Sequence, residues 1–311
     1  MSLRRGPVTV EAPASSANLG PGFDALALAL DLHLHVTVTP LDHGSEQLVV
    51  EGEGADEIGM DAGNRFLIGL ERGLQAASLE PPVMRIEMRN EIPLARGLGS
   101  SAAAVVAGLR AAEAMAGVEL GMDRLLAIAA DVDGHPDNVA AALLGGFVIV
   151  ARDDGVPRAA RFEPPDRLAA ALFIPALPLR TAEMRAALPA QVTHVDATHN
   201  VGRAALVVAA LTTDRPELLR AMADDRLHEP FRAVHFPALP DLIAAAMQAG
   251  ALGAALSGAG SSVIALCDGP ESAAAVAAAL DKAATNAGVA GRSSVVRPTA
   301  AGARLVGAER Q

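Results

Sequence analysis

The chain contains no tryptophan and no tyrosine, and only seven phenylalanines. A nucleotide base bound here must therefore be held by aliphatic side chains, Phe, amides and backbone. Lysine is almost as scarce. Lys282, in an Ala-rich stretch near the C-terminus, is the only one among 25 basic residues, so a phosphate site cannot rest on a motif lysine as a P-loop does. The single cysteine, Cys267, rules out an internal disulfide framework and suits a reducing compartment. No run of about 18 uninterrupted apolar residues occurs, as a membrane span would need. The start, Met1-Ser-Leu-Arg-Arg-Gly-Pro, lacks the apolar core of a signal peptide, and a cytoplasmic protein is expected. Acidic charge outweighs basic: the formal net charge is −11. That argues against broad nucleic-acid binding, which requires a basic face, but it leaves room for a local positive pocket around a small anion.

A chain of 311 residues, about half of them apolar, suits two domains or one large domain with a deep cleft. Alternating β-branched residues predict strands at Val8–Ala12 and Leu32–Thr39, with further strands at Leu48–Glu51, Met84–Met88 and Phe147–Ala151. Helical spacing predicts Arg65–Ala77, Ser101–Ala116, Met122–Ala130 and Asn138–Leu144. The Pro-, Arg- and Asp-rich stretch Asp153–Asp166 reads as a domain boundary, dividing the chain into 1–153 and 154–311. Beyond it, strands are expected at Ala169–Ile174, Ala254–Leu256, Val263–Cys267 and near Val295. Helices are expected at Glu183–Ala187, Ala204–Leu211, Glu217–Ala223, Leu239–Ala249 and Ser272–Ala287.

Four segments are dense in chemistry. In Pro93-Leu-Ala-Arg-Gly-Leu-Gly-Ser-Ser-Ala-Ala103, Gly97 and Gly99 let the backbone curl around a ligand, and Ser100-Ser101 reads as the cap of a long helix. The helix start offers free N–H groups and a partial positive charge, which favours phosphate; a Gly turn with a Ser cap is the bland alternative. Pro13-Ala-Ser-Ser-Ala-Asn-Leu-Gly-Pro-Gly-Phe-Asp24 reads as a rigid loop that positions Asn18 and Asp24, or as a loop whose Asn and Asp serve only the turn. Asp131-Val-Asp-Gly-His-Pro-Asp-Asn138 gathers carboxylates, an imidazole and an amide. A Mg²⁺ site needs only one or two protein oxygens besides phosphates, and Asp133 would suffice; Asp137 or Asn138 could equally be helix caps. Leu256-Ser-Gly-Ala-Gly-Ser-Ser262 is a second Gly-rich turn. Thr181 and Arg185 share one face of a short helix, and Arg232 lies in His228-Glu-Pro-Phe-Arg232; each arginine taken alone is more often a surface residue than a ligand.

Together, in their order along the chain, the four segments resemble the GHMP small-molecule kinases, and within them the homoserine kinases. The likeness runs from Val8 to about Val296. It implies an α+β fold of two domains, the N-terminal one similar to domain 2 of ribosomal protein S5 and the C-terminal one ferredoxin-like. It implies ATP and Mg²⁺ as cofactors. ATP would lie over Pro93, Arg96, Gly97, Leu98, Gly99, Ser100, Ser101, Ala102 and Ala103, with Asn64 near the adenine and Ser101 and Asp133 on the metal. Asn18, Asp24, His135, Asp137, Thr181, Arg185 and Arg232 match positions around homoserine. Asn18, Asp24, Ser101 and Asp133 stand closest to the chemistry, phosphorylation of the homoserine hydroxyl. A homodimer is plausible by the same likeness, and neither nucleic acid nor membrane is an expected partner.

Three positions depart from the family pattern. Asp133 stands where the family usually has Glu, with Asp131 as a fallback ligand; Ser261 replaces a Pro; and the lead-in Asn90-Glu-Ile-Pro93 differs slightly. Rival readings are a GHMP kinase of the mevalonate or sugar type, and a ligand-binding homologue without activity.

Overall fold

In the computed structural model the described residues are 3, 4 and 6–307. The first sheet is built from β1 (Val8–Ala17), β2 (Leu26–Pro40), β3 (Gln47–Gly52) and β4 (Met84–Asn90), in the order β1-β2-β4-β3. β3 runs parallel to β4 and the other pairs are antiparallel. β4 shows why the sheet is one-sided: Met84, Ile86 and Met88 point inward, while Arg85, Glu87 and Arg89 face solvent. Its buried face is covered by α1 (Arg65–Ala76), α2 (Ser100–Ala116), α3 (Met122–Asp133) and α4 (Pro136–Leu144). The alanines of α2 are buried from Ala102 onward, so this helix forms the middle of the core.

Two expectations change here. The segment read as a loop from Pro13 is strand as far as Ala17. Its small side chains are buried against α2 and α4, where larger ones would not fit. The Asp153–Asp166 stretch holds the turn and second strand of a hairpin formed by β5 (Phe147–Asp153) and β6 (Val156–Phe162), and β5 pairs with β2, so both strands belong to the first sheet. The chain passes to the second sheet between Phe162 and β7 (Leu168–Pro175).

After β7 come α5 (Thr181–Ala186), α6 (His194–Thr212), a 3-10 helix (Pro216–Ala223), α7 (Glu229–Arg232) and α8 (Leu239–Gln248). Then follow β8 (Gly253–Leu256), β9 (Val263–Asp268), α9 (Pro270–Asn286) and β10 (Gly291–Val296). The second sheet is antiparallel in the order β10-β7-β9-β8. Counted from β7, that is 4-1-3-2 with helices between the first two and the last two strands, the split arrangement of ferredoxin-like units. The chain then returns to the first sheet, where β11 (Arg304–Val306) pairs with β1. No helix among the described residues is long and apolar enough to cross a membrane.

Candidate active site

The loop from β4 to α2 enters the helix through backbone that only glycine accepts readily: φ is 74° at Gly97 and 72° at Gly99. Ser100 and Ser101 are not the cap, as expected, but the first two helical residues. Gly99 occupies the cap position and no side chain bonds the helix start, so the amides of the first turn are left for a ligand. Behind the loop, Ser257 Oγ donates to Gly97 O at 2.7 Å, Ser262 N to Arg96 O at 3.0 Å and Ser15 N to Leu98 O at 3.1 Å. The second Gly-rich turn, between β8 and β9, is therefore a buttress for the first. Arg96 is similarly committed: its guanidinium donates to the carbonyls of Leu94, Pro175 and Ala176, tying the loop to β7. It lines the cleft but spends its hydrogen bonds on the protein. Leu98, Ala102 and Ala103 are buried and shape the floor.

At the end of α3, Ser101 Oγ donates to Asp133 Oδ1 at 2.7 Å. Asp133, one methylene shorter than the family's usual Glu, still reaches Ser101. Asp131 is not a fallback; it is exposed and paired with Arg72. Neighbouring oxygens on an octahedral ion with bonds of about 2.1 Å stand about 3 Å apart, so this hard-oxygen pair fits Mg²⁺.

The turn into α4 carries His135 and Asp137. Burial holds the His135 imidazole below its ordinary value, with Arg185 adding to the effect. Asp137 is 2% exposed, and its Oδ1 accepts from Asn138 N at 2.7 Å. Burial, helped by Asp24 and Asp133, pushes its carboxyl up to about 7 against the opposing Asn138 hydrogen bond and Arg185. A cationic amine needs the ionised form. The KM of a substrate whose ammonium pairs with Asp137 is therefore expected to fall as pH rises to about 7 and to level off above it, and Asp137→Asn should flatten that limb. Initial rates with varied amine substrate between pH 5.5 and 8.5 check this. A limb that persists in the Asn variant would assign it to another group.

Opposite, on α5, Arg185 Nη2 donates to Asp24 Oδ1 at 2.5 Å, while Arg185 Nε is buried without a partner. Arg232 is 1% exposed; burial first, then Arg185, lowers its guanidinium to about 10. Asn18 accepts from Asp24 N at 3.0 Å and donates to Gly258 O at 2.8 Å, so its amide fixes the loop around Asp24 and retains one N–H for a ligand. Thr181, at the start of α5, is exposed at the rim.

These groups line one cleft of about 460 Å³, with Arg65, Arg96, Arg185 and Arg232 against Asp24, Asp133 and Asp137: a positive locality on an acidic protein. Arg65, Ala95, Ser100 and Ser101 also line an adjoining pocket of about 320 Å³ whose walls include Leu34, Ile58, Phe66, Met88 and Leu94. This is the aliphatic and Phe environment that a base requires in the absence of Trp and Tyr. Asn64 lines it, but its Oδ1 caps α1 through Phe66 N and Leu67 N and its Nδ2 donates to Gly59 O. Its side chain holds the wall in place. Pro93 lines the main cleft.

Sequence reasoning overlooked Arg65, whose Nη1 donates to Val132 O at 3.1 Å beside the metal-type pair, and Ser15, whose Oγ donates to Asn138 Oδ1 at 2.9 Å. Arg65 directly follows the nominated Asn64, and the missing lysine was a reason to look for another cation there.

Residues 65–146 match the model of the GHMP kinases N-terminal domain, and residues 206–286 that of the GHMP kinases C-terminal domain. Homoserine kinase of Streptomyces coelicolor is 42% identical over 86% of this chain and 86% of its own length. That of Deinococcus radiodurans is 40% identical over 94% of both. The crystal structure of homoserine kinase from Cytophaga hutchinsonii superposes with a TM-score of 0.87 at 30% identity, covering 98% of this chain and 99% of that one. With the Gly-rich helix start, the Ser101–Asp133 pair and the second sheet's topology already in place, these likenesses lead to one conclusion: the chain belongs to the homoserine kinase family of the GHMP kinases.

Proposed function

We infer that the chain is an ATP-dependent homoserine kinase, transferring the γ-phosphoryl group of ATP to the side-chain hydroxyl of L-homoserine to give O-phospho-L-homoserine, a step in threonine biosynthesis. The observation that carries the reading is the Asp24–Arg185 ion pair, with Arg185 Nε unpartnered and Arg232 buried beside it, in a cleft that reaches the Gly-rich helix start. A zwitterion carries the complement of both partners, so its binding exchanges one ion pair for two. Asp24 and Asp137 hold the ammonium, and Arg185 and Arg232 hold the carboxylate. Mevalonate has a carboxylate and hydroxyls but no ammonium, and would leave both aspartates unanswered.

In this reading the base lies in the pocket of Leu34, Phe66 and Met88, and the phosphates lie over the first turn of α2, with Arg65 nearby. Mg²⁺ held by Ser101 and Asp133 would supply charge neutralisation at the β- and γ-phosphates. Phosphoryl transfer passes through a loose transition state, so catalysis is chiefly positioning and charge stabilisation. Asp24 is committed to charge pairing and Asn18 is placed to orient the hydroxyl; no side-chain base is required, and the proton ends on the phosphate. Asp24→Asn is accordingly expected to raise homoserine KM more than it lowers kcat. A large fall in kcat at saturating homoserine would instead make Asp24 the base. The reading extends to a cytoplasmic homodimer, and light scattering on the purified protein tests the dimer.

The experiment that tests the function is coupled ADP release with Mg-ATP and homoserine, threonine, serine or mevalonate. Turnover confined mainly to homoserine is the expected result. Activity on another member of the panel with none on homoserine would leave the ATP site standing and overturn the amino-acid pocket.

A further inference from the structure

The homoserine side of the cleft is backed by a histidine to which the reaction assigns no role. His228 is fully buried immediately before α7. Its Nε2 lies 2.8 Å from the carbonyl oxygen of Gly20. A carbonyl only accepts, so the ring hydrogen sits on Nε2 and the lone pair on Nδ1. Arg232 Nη1, one turn further on, donates to that Nδ1 at 3.1 Å and to Gly258 O at 2.9 Å. Burial keeps the imidazole neutral, lowered to about 4, and a protonated ring could not accept from a guanidinium. Asp225 takes the backbone N–H groups of Leu227, His228 and Glu229 and so fixes the turn that carries the ring.

The Phe23 ring stacks on His228 with centroids 5.1 Å apart and planes at 26°. The guanidinium carbons of Arg232 and Arg185 stand 5.3 and 5.4 Å from the same Phe23 centroid. One aromatic ring thus attracts two cations that repel each other. The groups Arg232 bonds, namely Met184 O, His228 and Gly258 O, are all neutral. Burial, then Asp225, pushes the nearby Glu229 carboxyl up to about 8, and its Oε1 accepts from Leu256 N instead of from the arginine. Asp24 and Asp225 act on this guanidinium at longer range, but no carboxylate among the described residues is hydrogen-bonded to it, so the arrangement orients it without a bound counter-charge.

We propose that His228 is a positioning residue for the amino-acid substrate: locked as the Nε2–H tautomer by Gly20 and backed by Phe23, it aims Arg232 at the substrate carboxylate. This rests on the reading that Arg232 takes that carboxylate. It is separable from that reading, because the two ring nitrogens can be replaced one at a time. Asparagine places Oδ1 where Nδ1 stands and keeps the acceptor for Arg232. Glutamine places its amide nitrogen near Nε2 and keeps the donor to Gly20.

The test measures KM for homoserine, KM for ATP, kcat and the thermal midpoint for His228→Asn and His228→Gln. Loss of one hydrogen bond to a charged group predicts homoserine KM raised on the order of tenfold in the Gln variant and within about threefold in the Asn variant. ATP KM and kcat should stay within about twofold in both. Equal shifts in the two variants, no shift in either, or ATP KM and kcat moving together with homoserine KM would each overturn the proposal. Should either variant be too unstable to assay, Phe23→Leu keeps apolar bulk without the ring face. A severalfold rise in homoserine KM alone supports the proposal, and an unchanged KM rejects it. Arg232→Lys separates the two layers. An unaffected homoserine KM there sinks the carboxylate clamp itself; a raised one, with no Asn–Gln difference at His228, sinks only the positioning role.

Discussion

Replacing Arg232 with alanine should lower kcat/KM for homoserine by roughly two to three orders of magnitude while leaving KM for ATP nearly unchanged. Truncating one member of a buried charge pair costs about 2–5 kcal/mol, much of it the penalty of leaving the other charge unanswered. Arg232 is 1% exposed, so little solvent would replace it at the substrate carboxylate. Arg185 is about one third exposed and is shared with Asp24, so Arg185→Ala belongs at the low end of that range. Because the two guanidiniums converge on one anion and repel each other, the double variant should lose less than the sum of the singles. The alanine change also strips Gly258 O and His228 Nδ1 of a donor, so some stability goes with it. The deciding control is a substrate without the carboxylate, the amino alcohol corresponding to homoserine. The wild type should use it poorly, and the arginine variants should use it no worse than the wild type does. If both variants lose activity equally on homoserine and on the alcohol, the arginines support the fold and do not read the substrate.

Much of this site was legible because its motifs are local. Gly97, Gly99, Asp133, His135 and Asp137 lie in short stretches whose spacing alone indicates a tight turn into a helix or a carboxylate at a helix end. What could not be read is the partnership of groups far apart in the chain. Asn18 was expected to serve the substrate hydroxyl, yet its amide also binds Gly258, 240 positions away. Arg96 was taken for a nucleotide contact, and its guanidinium is used by carbonyls near residue 175. In each case the family likeness implied a ligand, and tertiary hydrogen bonding supplied a protein partner first. The serine cap failed for a different reason. Ser100 and Ser101 have the composition of a cap, but the left-handed turn at Gly99 leaves them inside the helix, where Ser101 can reach Asp133. The fold shows the same division. The alternation of β4 marks it as a strand with one buried face, whereas the buried Ala14–Ala17 run has no period at all and becomes strand because α2 and α4 pack against it.

The buttress behind the phosphate loop carries the second large expectation. Gly97→Ala should all but abolish turnover and lower the thermal midpoint by several degrees. The backbone there has φ of 74°, which costs an L-residue on the order of 1–2 kcal/mol. An added Cβ would also stand 2.1 Å from Ser257 O, 2.8 Å from Gly260 N and 2.9 Å from Gly260 O. All three are main-chain atoms of the turn between β8 and β9, so no side chain can swing aside, and overpacking of this kind costs about 1–3 kcal/mol more. The loop and turn must part, and with them goes the Ser257 Oγ bond that holds Gly97 O. The amides at the head of α2 would then miss the phosphates by a fraction of an ångström to an ångström, enough to cost about a hundredfold in rate. Gly202→Ala calibrates the result: it lies in α6, exposed, with nothing within 4 Å of an added Cβ, and should be neutral to slightly stabilising. If Gly97→Ala melts and turns over as Gly202→Ala does, the turn between β8 and β9 is not what holds the phosphate loop, and the first turn of α2 keeps its geometry unaided.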